Sequence, residues 1–218
     1  MNMDRYLKEF SSHTEYEEYI REGNLIIPNV SYCENEDEVH YSYDSEIEYL
    51  ESTGTQWIDT LIAPTVNNNT EVIIIVCPTA MGSYYFGSNF NLNIHASTAG
   101  WRVNGYQTNH RISIDSFTTI SLKQTTSGRY FNINNTTEGY GTKQESANNF
   151  IIGALGGAVA QYKFKGKFRS VIIKENDIIV RDMIPVRVGQ VGYMCDKVSD
   201  QLFGNSGTGN FILGPDKQ

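Results

Sequence analysis

The 218-residue chain has no run of about 18 apolar residues, so no stretch is expected to cross a membrane as a helix. Its opening residues, MNMDRYLKEF, lack the basic-then-apolar order of a secretory signal. Cysteine is scarce: Cys33, Cys77 and Cys195 lie far apart without a C-x-x-C pair. That spacing fits neither a disulfide framework nor a zinc site, and free thiols made in a reducing cytosol are the expected state. His13, His40, His95 and His110 have no ligand-like spacing either. No metal and no other cofactor is therefore assigned.

Catalytic patterns are missing as well. Residues 46–218 contain no E-x-D-x-x-E phrase of the kind that sets two carboxylates on one strand face for glycoside hydrolysis. Glu175 and Asp177 form the nearest acidic pair, and they fall in an expected turn. The phrase GNSGTG, residues 204–209, lacks the following helix that a phosphate-binding loop requires. It also misses G-x-S-x-G, because Thr208 stands where the last glycine belongs. It reads as a hairpin turn, and the chain as a protein without enzymatic activity.

Charge is present, but unevenly. Residues 1–51 hold 14 Asp or Glu against 3 Lys or Arg, a net of −11, while the rest of the chain is weakly basic. Seven of the 14 tyrosines also fall within the first 49 residues. Nucleic acid would repel such a leader. Solvated acidic tails are poor in aromatics, whereas tyrosine is enriched at protein interfaces, so residues 1–45 read as a docking segment. Ser12 and Glu15 form a capping-box pattern, Tyr16, Tyr19 and Ile20 recur at helical spacing, and Gly23 suits a C-cap. One short helix with an aromatic face is predicted there. Tyr16, Tyr19, Tyr32, Tyr41 and Tyr43 are the candidate interface residues of this segment.

From residue 46 onward the apolar period is two. EVIIIVCP reads as a strand buried on both faces; LNIHAS, WRVNGY and HRISID alternate between turn residues. FTTISLKQT and RYFNINN form a predicted hairpin with Ile120 and Leu122 facing Phe131 and Ile133. FRSVIIKENDIIVRDMIP is two strands joined at KEND, and LFGNSGTGNFILG two short ones. Turn signals every eight to twelve residues with almost no helical pattern predict a mainly β protein, an antiparallel sandwich or jelly roll over residues 46–218. Within STGTQWID, Gly54 suits a turn or bulge, and Trp57 is expected in the core. KFKGKFR sets Lys163, Lys165 and Lys167 on one side of a strand and Phe164 and Phe168 on the other. A solvated face is the plain reading; the sharper one is a contact for an acidic partner. Tyr84, Tyr85 and Trp101 are candidate stacking platforms for sugars.

Three phrases, YLESTGTQWIDT, FKGKFRSVIIKENDIIVRDMIPVR and GYMCDKVSDQLFGNSGTGNFILGPD, resemble a concanavalin A-like (laminin-G-like) module. The leader, FSSHTEYEEYI followed by GNLIIPNVSYCENEDEVHY, resembles the N-terminal segment of virion proteins of crAss-like phages of Bacteroidales. The resemblance implies a two-layer sandwich whose first and last strands lie close together. Some modules of this kind hold calcium at the sandwich rim, for which Asp59, Asp196 and Asp200 would be the acids, yet no D-x-D or EF-hand phrase supports a site and none is assigned. The resemblance also implies a virion structural protein, a capsid decoration or head-fibre component, built in the host cytoplasm in many copies or as a homo-oligomer among other virion proteins. The alternative is a phage adhesin that binds host glycans.

Overall fold

The longest apolar run, TEVIIIVCP, is dominated by β-branched side chains, which favour extended backbone and pack well on a pleated surface. It forms one of the inner strands of the large sheet in the computed structural model, which describes residues 43–218 apart from 90–91, 104–105, 109, 134–135 and 157–162. The strands in chain order are β1 (Ser45–Glu46), β2 (Leu50–Thr53), β3 (Ile58–Asp59), β4 (Thr70–Pro78), β5 (Ser83–Asn89) and β6 (Leu92–Ser97). Next come β7 (Gly100–Val103), β8 (Tyr106–Gln107), β9 (Thr118–Thr125), β10 (Gly128–Ile133), β11 (Thr136–Tyr140) and β12 (Ile151–Ile152). The last are β13 (Lys165–Glu175), β14 (Ile178–Val188), β15 (Val191–Asp196), β16 (Gln201–Phe203) and β17 (Ile212–Leu213). Among the described residues there is no helix. The helix predicted around Tyr16 and Tyr19 lies outside them.

The fold is an antiparallel β-sandwich. The large sheet runs β11-β10-β9-β4-β13-β14-β15-β16, with β2 also pairing β13 and β17, and β1 pairing β14. The small sheet runs β3-β12-β5-β6-β7-β8. Alternate residues of each sheet meet in one core: Val72, Ile74 and Val76 of β4, Ile120 and Leu122 of β9 and Val171 and Ile173 of β13 belong to the same cluster as Tyr85, Phe86, Ile94, Trp101 and Val103. Non-directional burial of these apolar faces holds the layers together.

Several expectations hold in detail. Phe131 pairs Leu122 and Ile133 pairs Ile120 in the β9–β10 hairpin. Asn176 and Asp177 turn β13 into β14 with φ of 51° and 65°, the left-handed geometry these residues tolerate. Gly54 has φ 104° at the end of β2, where a bend was expected.

Others need correction. β4 is buried on one face over most of its length; Ile73 and Ile75 point outward and are half-covered, and both faces are buried only at its end, where Cys77 is 2% exposed. Residues 110–115 are not a strand: His110 accepts from the Trp101 amide and the Asp115 amide donates to Pro78, so this stretch links the small sheet to the large one. GNSGTG is not a hairpin turn, because β16 pairs β15 whereas β17 crosses to β2. The loop between them is laid on the opening phrase. Ser206 donates to the Trp57 carbonyl at 2.8 Å, Thr208 to that of Thr55 at 3.1 Å, and the Asn205 carboxamide accepts from the Trp57 amide at 3.1 Å. Trp57 is half-buried against Ile151 and Ala154, outside the main core; Ile58 takes the core position. Both ends of the sandwich meet, since Ile212 pairs Glu51 and the Lys217 amide donates to Glu46 at 2.9 Å. Residues 43–45, read from sequence as leader, join the same sheet: the Asp44 amide donates to the Arg187 carbonyl at 2.9 Å, and Ser45 pairs Arg187.

Candidate functional site

Outward-pointing residues of β4, β9, β10, β11 and β13 line up in two rows because the strands pair in fixed register. One row is Lys174, Glu71, Lys123, Tyr130 and Gly139; the next is Ile172, Ile73, Ser121, Asn132 and Thr137. Between them the outer face of the large sheet hollows into a groove of about 440 Å³, with Thr119 at its border. Tyr130 forms one flank. The Cδ1–Cε1 edge of its ring lies against Gly139, where a Cβ would stand 3.2 Å from both atoms, and its hydroxyl donates to Ser127 at 3.2 Å. Glycine at 139 thus leaves room for the edge of an aromatic ring on the strand opposite.

The opposite flank is charged but compensated. Glu71 lies 3.3 Å from the Lys174 ammonium and 3.8 Å from that of Lys123, which also bonds Asp177 at 3.0 Å. The hydrogen bond that Lys123 donates to Asp177 raises the lysine pKa, with desolvation opposing, so this cation stays charged. The floor between flanks carries hydroxyl and amide groups, and the Asn132 side-chain amide donates to Thr137 Oγ1 at 2.9 Å. An aromatic ring beside a few fixed polar groups suits a polyhydroxylated ligand. Glu71 is the only carboxylate among the described lining residues, whereas hydrolysis of a glycosidic bond uses two.

None of the described residues singled out from sequence as site candidates lines this groove. Tyr16, Tyr19, Tyr32 and Tyr41 lie outside the described residues. Tyr43 packs with Tyr193 and Leu202 over Ile184, Val186 and Cys195, a small cluster separate from the core. Lys165 is exposed and its stem runs against Gly54; Lys163 and Lys167 are half-buried. The Lys167 ammonium sits 4.5 Å from the Tyr49 ring centroid, and Arg169 lies 3.8 Å over the ring of Phe117. Phe164 and Phe168 point into the core. Of the three proposed sugar platforms, Tyr85 and Trp101 are 0% exposed, so burial removes them; Tyr84 alone faces outward.

The candidate calcium acids do not converge on one another. Asp196 is fully buried, bonded to Ser199 and to backbone amides. Asp59 accepts from the Leu61 amide and from Asn149. Among the described residues no three His, Cys, Asp or Glu cluster as a metal would need.

Half of the groove was within reach of sequence reasoning. Once the β9–β10 hairpin has its inward pairs, Ser121, Lys123, Tyr130 and Asn132 must share the outward face. Glu71 and Lys174 could not be added that way, because β4 and β13 pair across about a hundred residues.

This is a sandwich of concanavalin-like fold, and a solved structure agrees on that fold. A candidate carbohydrate-binding protein from Bacteroides ovatus superposes with a TM-score of 0.59 at 10% identity, over 79% of this chain. This chain spans 61% of that protein's length. A heptameric SAP-like pentraxin from Limulus polyphemus superposes with a TM-score of 0.47 at 15% identity, over 80% of this chain and 96% of that one. No family model matches the chain, and no curated protein does.

Proposed function

We propose that this chain is a non-enzymatic carbohydrate-binding sandwich that takes a saccharide into the groove of the large sheet. Tyr130, set against Gly139 and lining the groove with Asn132 and Ser121, is the observation that carries this reading. The ring offers an apolar face to the sugar, and the neighbouring amide and hydroxyls take its hydroxyls. Lys123 and Glu71, already paired, add hydrogen-bonding groups with little net charge, so a neutral saccharide fits better than an anionic one. The description of the Bacteroides ovatus neighbour as a candidate carbohydrate binder supports the same class.

A glycan array probed with the full chain is expected to yield neutral oligosaccharide binders. Tyr130→Ala should then weaken the best of them about tenfold or more by calorimetry, a change of about 1.4 kcal/mol. An unchanged affinity in that variant would remove the groove from the function.

The sequence resemblance to phage virion proteins supports a setting for this activity. The acidic leader anchors the chain among other virion proteins, and the sandwich is displayed as a capsid decoration, head fibre or adhesin facing host glycans. Mass spectrometry of purified particles of the phage that carries the gene is expected to find the chain in many copies. Particles lacking it would end the virion reading while leaving the groove untouched.

A further inference from the structure

On the other side of the sandwich the small sheet presents a row that the groove reading does not use. Register places Tyr84 of β5 opposite His95 of β6, His95 opposite Arg102 of β7, and Arg102 opposite Gln107 of β8. The Tyr84 and His95 rings are stacked, with centroids 4.5 Å apart and planes 18° from parallel. Burial first, then the nearby Arg102, lowers the His95 pKa, so the imidazole is neutral at neutral pH and keeps one nitrogen as an acceptor.

Arg102 is exposed yet held in place. Its Nε donates to Gln107 Oε1 at 3.0 Å, and Ser97 Oγ donates to the same oxygen at 3.2 Å. The Gln107 amide nitrogen in turn donates to the Trp101 and Thr108 carbonyls, at 3.2 and 3.1 Å, which fixes the carboxamide. With Nε engaged, the remaining fork of the guanidinium is its two terminal nitrogens, a geometry matched to a carboxylate. No Asp or Glu occurs in β5, β6, β7 or β8. Two residues before Arg102 on the same strand, Gly100 borders a second hollow of about 410 Å³ that Arg111 also lines.

We propose that this row is a second binding site, for an acidic saccharide whose carboxylate is held by Arg102 while its ring packs beside the stacked Tyr84 and His95. A uronic-acid oligomer is the chemical class that uses all of it: an anionic group for the guanidinium, an apolar ring face for the aromatic stack and hydroxyls for the His95 nitrogen. Arg111 at the adjoining hollow suits the carboxylate of a neighbouring sugar unit. This site is independent of the groove across the sandwich.

The test uses the full chain, with a galacturonic acid trimer as probe and maltotriose and acetate as controls, by calorimetry. The trimer is expected to bind, Arg102→Met to weaken it at least tenfold, Gln107→Ala to weaken it severalfold through the loosened guanidinium, and Tyr130→Ala to change nothing. Tyr84→Ala, with the arginine kept, should also weaken the trimer. No binding of the trimer, or equal binding by the Arg102→Met protein, overturns the proposal. Acetate binding as tightly as the trimer would reduce the site to a bare anion contact, and competition by maltotriose would show that charge is not read; either result also overturns it.

Discussion

Gly166→Ala is expected to destabilise the sandwich by roughly 3 kcal/mol or more, read as a lower urea midpoint. Gly166 has φ 146°, a region that L side chains rarely adopt. It also occupies a crossing point, paired with Ser52 of β2 on one side and Pro78 of β4 on the other. A Cβ there would run into the Cys77 carbonyl oxygen and the ring of Phe164. Phe164 is fully buried against Tyr85 and Phe168, with centroids 4.3 and 4.5 Å away, so it has nowhere to retreat. The cost combines backbone strain with a displaced core ring. A variant that unfolds within about 1 kcal/mol of the parent would show that this crossing is soft.

Asp196→Ala is expected to cost a similar amount, about 3–5 kcal/mol, because it strands a partly buried arginine. Asp196, at the end of β15, is 0% exposed. Its carboxylate accepts from the Asp182 amide at 2.8 Å, the Val198 amide at 3.2 Å and the Ser199 hydroxyl at 2.7 Å, with Arg181 at 3.6 Å. Arg181 also donates from Nε to the Thr60 carbonyl at 3.2 Å and lies 5.3 Å over the Phe203 ring. One ion pair therefore joins β14, β15 and the segment just after β3, tying one sheet to the other. Asp196→Asn keeps the shape and some hydrogen bonding, and should lose distinctly less than alanine in the same urea titration. Equal losses would mean that the charge of Asp196 contributes nothing beyond its volume.

These two positions also mark where sequence reading stops. KFKGKFR announces its alternation, and Phe164 and Phe168 are inward as read. The need for glycine in its centre is invisible until β2 and β4 are both seen to flank it. Trp57 is a second case. Size and hydrophobicity assign it to the core, but the 205–208 loop binds its backbone, and Gly207 brings that loop's main chain up against its ring. GNSGTG misled for the same reason, because local composition describes a turn without saying which strands it joins. For HRISID, alternation alone predicted a strand, but the segment leaves one sheet for the other and has no continuous partner.

What the sequence determined by itself is the class of the described body. A period of two, β-branched runs and turn residues at short intervals leave an antiparallel sandwich as the way to bury those faces, and local hairpins such as β9–β10 follow with their register. Tertiary structure alone decided the two candidate surfaces. Tyr130 meets Glu71 through β9, and Tyr84 meets Arg102 through β6, only after strands pair and the register is set. The physical reason is that backbone hydrogen bonding between strands carries no residue code, so which outward side chains become neighbours is settled by how the inward ones pack.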